Sequence, residues 1–453
     1  MSKNSTSYNL DLFSPATDLF IQGEQEPLHA DASSAKILVV GTTSDYVDLL
    51  RQSYTGRALY LTAQSERDKA EESDPLQGEE IACNLNDDVS VILQKIQEHL
   101  RLWNSSVNAV VCFDCESLEL TALLARELSL PYSSPETIRR CRNKHTTKAI
   151  WREKGVPCPR HSLVHCAEEV VAFWQEIGSP CVVKPIGGSG SELVFLCSNR
   201  KTCEKSTHLI LEGLTERKEV HLYSNAIEKF VVEEFVAGNE FSCDFTIKGD
   251  QIEVLRLTKK LKYTKKPFGT INGYMLTNWQ QACLDQKVLT PILLQGAKAL
   301  GVDYAICMVD FIVDGDKILL LEMTPRPGGD CIPFLLNRAV GFDILGWSFN
   351  FAQNRKTAPP VTRISNNGLV ALRFHAERGG IVTKINGNLL LRDPRTREVC
   401  LVTAIGHQIT MPPFDYESWY LGYMLFQPIP DVPVEQQCQE LRHLLEVEIS
   451  GIR

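Results

Sequence analysis

The sequence predicts a multidomain chain of mixed α/β and α+β class: an open parallel α/β N-terminal domain, an α+β middle region and a small C-terminal β-rich α+β domain. Three observations carry this reading. The chain has 453 residues, more than the roughly 250 that one hydrophobic core usually organises. Its early part alternates apolar strands with amphipathic helices, the pattern of a parallel sheet. From about residue 136 short strands separated by turns take over, the pattern of antiparallel sheet with helices set apart.

Taken in order, residues 1–35 are rich in Ser, Asn, Asp and Gln with isolated hydrophobics, and read as a flexible extension with little core of its own. Residues 36–135 form the N-terminal domain. AKILVVGTTSDYVDLL gives a buried strand, a turn and a helix; VNAVVCFD gives a second strand, leading into LELTALLARELSL, where Leu120, Leu123, Leu124 and Leu128 share one face at helical spacing. The turn after Val40 has one glycine and lacks G-x-G-x-x-G, which argues against dinucleotide binding there. Residues 136–355 begin with a helix over RNKHTTKAIWREKG and continue as strands PCVVKPI, EKFVVEEFV, EFSCDFTI and QIEVLRL, a helix LDQKVLTPILLQGAKALG, and the paired runs MVDFIV and KILLLEM. FAQNRKTAPPVTRISNNG reads as a linker, and residues 356–453 as short strands closed by an amphipathic helix, PVEQQCQELRHLLEVEI.

Composition narrows the function. At 43% hydrophobic and 23% charged the chain is an ordinary globular protein, and a formal net charge of −9 offers no general attraction to phosphate backbones or anionic membranes. No run approaches the apolar length a membrane span needs, so a cytoplasmic location is expected, with neither nucleic acid nor membrane as partner. The fifteen cysteines, many inside apolar runs, read as reduced buried thiols rather than a disulfide framework. Cys112 and Cys115 form a single C-x-x-C, read as packed core.

Three segments carry chemistry. In MVDFIV-DGD-KILLLEMTPRPGGD, a hairpin turned at Asp314–Asp316 would put Glu322 two residues beyond the partner of Asp310, on the same face. That parity demands an odd loop or a bulge. The two carboxylates either share one hard cation or face solvent. In VVKPIGGSGSELV, Lys184 ends a strand and Gly187, Gly188, Ser189, Gly190 and Ser191 follow; the loop is either a plain turn or a flexible cover for phosphates whose charge Lys184 would match. In FVVEEFVAGNEF, Glu233 closes a strand, Val236 offers backbone groups and Glu240 follows a Gly-Asn turn, an arrangement open to a planar base and a sugar hydroxyl or to an ordinary strand–turn–strand.

The order of these segments resembles the ATP-grasp superfamily: Lys144, then Lys184 with its Gly-rich loop, then Glu233-Glu234-Phe235-Val236 with Glu240, then Asp310, then Glu322-x-Thr324-x-Arg326. The resemblance covers roughly residues 136–350 and implies a two-lobed ATP-grasp domain preceded by the family's usual sheet domain. It implies that Lys144 and Lys184 contact ATP phosphates and that Gly187–Ser191 form a mobile lid. Glu233 to Val236 would hold adenine and Glu240 the ribose. Magnesium, or manganese in its place, would lie on Asp310 and Glu322, and Arg326 would bind the acyl phosphate. Thr324 stands where the family commonly has a metal-ligating Asn; its hydroxyl suits a hard cation but reaches less far. Arg326 and Lys184 are the expected catalytic residues.

The PRPGGD ending and GGIVTKINGNLLL are most similar to carboxylate–amine ligases that join amino acids. An ATP- and magnesium-dependent, ADP-forming ligase is therefore expected, acting on a small-molecule carboxylate and amine, with a homodimer as an allowed assembly. A carboxylase-like enzyme or small-molecule kinase of the same fold, or a nucleotide-binding regulator without turnover, are the alternatives. The lysines at 259, 260, 262, 265 and 266 read first as a solvated loop and second as a lure for an acidic substrate; Arg373, His375 and Arg378 are candidate contacts to a substrate carboxylate.

Overall fold

The structure is a computed structural model, and it describes residues 35–70, 74–217, 228–262, 266–355 and 368–451. The expected N-terminal extension, Lys265 and most of the expected linker lie outside the described residues. Among the described residues, no helix is long and apolar enough to cross a membrane.

The chain opens with β1 (Lys36–Val40), α1 (Ser44–Ser53), β2 (Ala58–Ala63), α2 (Gln64–Arg67), β3 (Glu80–Cys83), α3 (Val89–Leu102), β4 (Val107–Val111) and α4 (Leu118–Glu127). The four strands make a parallel sheet in the order β3-β2-β1-β4. After Lys36, β1 is apolar because both of its faces are covered. Leu38 and Val40 pack with Ile92, Ile96 and Leu124, while Ile37 and Val39 enter a second core with Leu335, Leu336 and Phe349 from much later in the chain.

Helices α5 (Pro135–Arg142) and α6 (Lys144–Glu153) lead into a small lobe of β5 (His161–Val164), α7 (Ala167–Ile177), β6 (Cys181–Pro185), β7 (Phe195–Cys197), α8 (Arg200–Glu216) and β8 (Phe230–Glu234). Its antiparallel sheet runs β5-β8-β6-β7. Next come β9 (Asn239–Lys248), β10 (Gln251–Lys262), β11 (Ile271–Thr277), α9 (Gln286–Leu300), β12 (Tyr304–Asp314), β13 (Lys317–Thr324), α10 (Ile332–Val340) and α11 (Ile344–Ala352). The chain ends with β14 (Val370–His375), β15 (Gly380–Asn386), α12 (Asn388–Arg392), β16 (Thr396–Leu401), β17 (Gln408–Ile409), β18 (Tyr420–Phe426), α13 (Val434–His443) and β19 (Glu446–Ser450). The expected final helix thus stops at His443, and the apolar–acidic alternation of Glu446–Ser450 forms a strand against β15.

One antiparallel sheet of eight strands, β13-β12-β9-β10-β11-β14-β18-β16, crosses the expected boundary near residue 355, with Tyr274 of β11 opposite Ala371 of β14. The β12–β13 hairpin differs from the three-residue loop expected. Asp314 pairs with Lys317, so the loop is the two residues Gly315 and Asp316. A two-residue loop alone would oppose Asp310 to Leu321 and send Glu322 to the other face. The register shifts instead between Asp310 and Phe311, leaving Leu321 as a bulge and setting Asp310 directly opposite Glu322.

Candidate active site

The floor of the cleft is a polar ladder laid on alternate residues of the large sheet. On β9, Glu240, Ser242 and Asp244 share one face, while Phe241, Cys243, Phe245 and Ile247 fill the core on the other. On β10, Arg256, Thr258, Lys260 and Lys262 run beside them, with Arg256 opposite Asp244 and Thr258 opposite Ser242. Period-two alternation builds this surface, and the bulged hairpin adds Asp310 and Glu322 to its edge.

Lys260 is the missed residue at its centre. Its ammonium donates to Glu240 Oε1 at 2.9 Å and also to Asp310 Oδ2, and Lys262 reaches Glu240 Oε2 at 2.6 Å. The solvated-loop reading is therefore corrected at two of these lysines: Lys260 is 9% exposed as a side chain, and Lys266 donates to the carbonyls of Ala376 and His375, while Lys262 is 44% exposed. The alternation of RLTKKLK was the available signal. Burial would raise the Glu240 carboxyl, but Lys260 and Lys262 outweigh it and bring it down to about 2. Asp310 goes the other way: burial, with Glu322 and Glu240 nearby, pushes it up to about 6 despite Lys260. Burial opposes the charge on Glu322 also, and Lys144, Lys184, Lys260 and Lys148 overcome it, holding that carboxyl well below the usual range.

The opposite wall belongs to the small lobe and α6. Lys184 on β6 pairs with Glu233 Oε2 at 2.7 Å, and Lys148, fully buried, pairs with Glu233 Oε1 at 2.8 Å. Lys148 also donates to the carbonyl of Leu321, the bulge residue, at 2.6 Å. It follows Lys144 by one helical turn on α6, which the sequence reading passed over. Burial lowers the Lys148 ammonium to about 8 although Glu233 opposes the shift. Lys144 lies 3.7 Å from Glu322 and donates to the Gly188 carbonyl at 3.2 Å. The Gly187–Ser191 loop lies across the cleft, with Ser189 Oγ donating to Glu116 of the N-terminal domain at 2.9 Å. Gly188 at φ 103° and Gly190 at φ 63° occupy conformations that glycine adopts without steric cost.

Thr324 ends β13, buried, opposite Met308. Arg326 turns toward the N-terminal domain: Nε and Nη2 approach Cys115 Sγ at 3.3 and 2.9 Å, and Nη1 donates to the Pro327 carbonyl at 2.6 Å. Cys115 is buried as expected, but it is more than packed core, because it faces this guanidinium. The loop after Arg326 is fixed from below. Asp244 takes a two-point ion pair from Arg256, Nε and Nη2 each at 2.8 Å, and accepts from the Gly328 N–H at 3.0 Å. Of the three candidates beyond the cleft, Arg373 pairs with Asp330 at 3.0 Å, His375 packs on Trp419 with ring centres 4.6 Å apart, and Arg378 donates to the Ile449 carbonyl. Val236 lies just past β8, at the edge of the small lobe.

The donor set suits a divalent metal. Two carboxylates stand directly opposed, and Asp310 Oδ1 is buried without a hydrogen-bond partner among the described residues, a condition a hard cation would relieve.

Residues 177–333 match the ATP-grasp domain family. It is similar to an uncharacterised Sinorhizobium fredii protein, y4rH, at 26% identity over 295 residues, 64% of this chain. The D-alanine–D-alanine ligase of Neisseria meningitidis serogroup C is also 26% identical, over 189 residues or 41% of this chain. In each case the match spans 58% of the relative's own length. Among solved structures, an L-amino acid ligase from Bacillus licheniformis superposes with a TM-score of 0.71 at 18% identity, covering 92% of this chain and 99% of that one.

Proposed function

We propose that this chain is an ATP- and magnesium-dependent ligase that activates a small-molecule carboxylate as an acyl phosphate and joins it to an amine, releasing ADP and phosphate. The observation that carries the reading is the meeting, in one cleft, of the opposed pair Asp310–Glu322 with four lysines, 144, 148, 184 and 260, drawn from both walls. Similarity to a D-alanine–D-alanine ligase and to an L-amino acid ligase supports amino acids as substrates.

Asp310 and Glu322, with Thr324 two residues on, would hold magnesium, which when bound supplies charge neutralisation for a transferring phosphoryl group. Lys144 and Lys184 would offset the repulsion between nucleotide phosphates and an incoming carboxylate. The segment from Glu233 to Val236 would take the adenine edge, with the Glu233 carboxylate held by Lys148 and Lys184, and Glu240 the ribose, with Lys260 holding Glu240 charged. The Gly187–Ser191 lid would shield the mixed anhydride from water until the amine attacks. Arg326, a planar fork, would grip the phosphorylated carboxylate through both steps, exchanging Cys115 for that ligand.

Amine-dependent ADP formation across pairs of amino acids, with the amide detected by mass, tests the proposal. Full-rate ADP release with the acid alone would point to a kinase or carboxylase; nucleotide binding without ADP over the whole panel would point to a regulator. Glu322→Gln is expected to lower turnover by about a thousandfold while ATP affinity changes little, since its partner is the metal rather than the base. Unchanged turnover would remove Glu322 from the site.

A further inference from the structure

The small lobe holds a cluster that the proposed reaction does not use. Cys181 on β6 stands directly opposite Cys197 on β7, and Cys203 lies in the first turn of α8. All three are 0% exposed, and their sulfurs lie within 4.8 Å of one another. Val170, Leu193, Ile210 and Phe230 surround them, and among the described residues no carboxylate or imidazole joins the group.

The geometry is held firmly. The strand register sets Cys197 against Cys181, and a capping box sets Cys203 against Cys197. In that box Asn199 Oδ1 accepts from the Thr202 N–H at 2.9 Å, and Thr202 Oγ1 accepts from the Asn199 N–H at 3.0 Å. Cys181 and Lys184 are three residues apart on β6, so the thiols face α8 while Lys184 faces the cleft.

Three sulfurs about 2.3 Å from a central ion sit about 4 Å apart in a plane and about 3.5 Å apart in a pyramid, and this pocket already holds its three within 4.8 Å of one another. Thiolates select soft ions. The apolar walls then discriminate by charge. Divalent zinc on three thiolates would leave one uncompensated negative charge and an open fourth position, and monovalent copper would leave more; burying such charge is costly. A trivalent ion leaves none.

We propose that Cys181, Cys197 and Cys203 form a tri-thiolate site for a soft three-coordinate ion, with trivalent arsenic as the occupant that fits. Arsenous acid would enter as a neutral molecule. Three As–O bonds break and three As–S bonds form; the three thiol protons leave with the three hydroxides as water, and no oxidant or reductant is needed.

The test uses the full chain, reduced, mixed with inorganic arsenite and desalted. Elemental mass spectrometry counts the retained arsenic, and arsenic X-ray absorption counts its sulfur neighbours. About one arsenic per chain with three sulfurs is expected. Retention should fall at least about tenfold in Cys203→Ala and hold in the Cys112→Ala, Cys115→Ala double variant. The sulfur count on the unsubstituted chain decides even if Cys203→Ala fails to fold. A two-sulfur shell, no retention, retention unmoved by Cys203→Ala, or displacement of the arsenic by equimolar zinc or copper(I) would each overturn the proposal. None of these readouts depends on ligase activity.

Discussion

Gly328 shows how little freedom the residues behind the cleft have. A Cβ there would meet Arg256 Nη2 at 2.3 Å, and that guanidinium already binds Asp244, Ser242 and Thr258. Gly328→Ala is therefore expected to destabilise the fold by about 2 kcal/mol and to cut turnover by displacing the Arg326 loop; urea unfolding and steady-state rates measure the two effects. Glu233 poses a different question, since it is shared by two lysines. Lys148→Met should cost about 3 kcal/mol, because it strips the buried carboxylate of its more deeply buried partner and leaves the Leu321 carbonyl without its donor. Lys184→Met should cost less, since Lys148 still neutralises Glu233. Equal unfolding midpoints for the two variants would contradict that ranking. At this scale the sequence was legible wherever a charged residue closed an apolar run, as with Lys184, Glu233 and Glu322. It was opaque where the charge lay inside a run, as with Lys260, or where the partner was remote, as with Cys115 beside Arg326.

Among the elements, β14 carries the clearest acid sensitivity. His375 is buried against Trp419 and Tyr420, faces Arg373, Arg442 and Lys266, and has no hydrogen-bond partner at Nδ1 among the described residues. Burial first, then those three cations, push its imidazole from 6.5 down to about 2. Between those values the unfolded chain binds the extra proton, so stability is whole above pH 6.5 and declines as pH falls below it. Going from pH 8 to pH 5, this one group accounts for a loss of about 2 kcal/mol. His375→Gln should remove that share of the acid dependence, read as a smaller gap between urea midpoints at the two pH values. Element types followed the hydrophobic period closely, yet the end of the last helix did not, because EVEIS finds β15 only once the chain is folded. The hairpin bulge was foreseen as one of two options, and only pairing with β12 could choose between them.

At the scale of the molecule, the eight-stranded sheet binds the middle and C-terminal regions into one body. One core draws together Val39, Leu276, Phe349, Ala371 and Leu425, from the first strand to nearly the last. A chain ending at residue 355 would lose β14, β18 and β16 and bare the edge of β11, so it should aggregate rather than fold. The intact protein should unfold in a single transition with coincident fluorescence and circular dichroism. Two separated transitions would show the regions to be independent. Sequence pattern marked a linker near residue 355 but carried no sign that β11 and β14 pair across it, since strand neighbours distant in sequence leave no local trace.

The extra residue at 321 does more than correct a face. Its carbonyl, thrown out of the ladder, is taken by Lys148, while the Leu320 N–H is taken by Pro157 at 2.9 Å. Removing Leu321 would leave a regular hairpin with Asp310 still opposite Glu322, but without the carbonyl that Lys148 binds. The irregularity is thus a tie: the carbonyl it frees holds Lys148, and Lys148 in turn holds Glu233 of the small lobe, so one buried ammonium joins the two walls of the cleft.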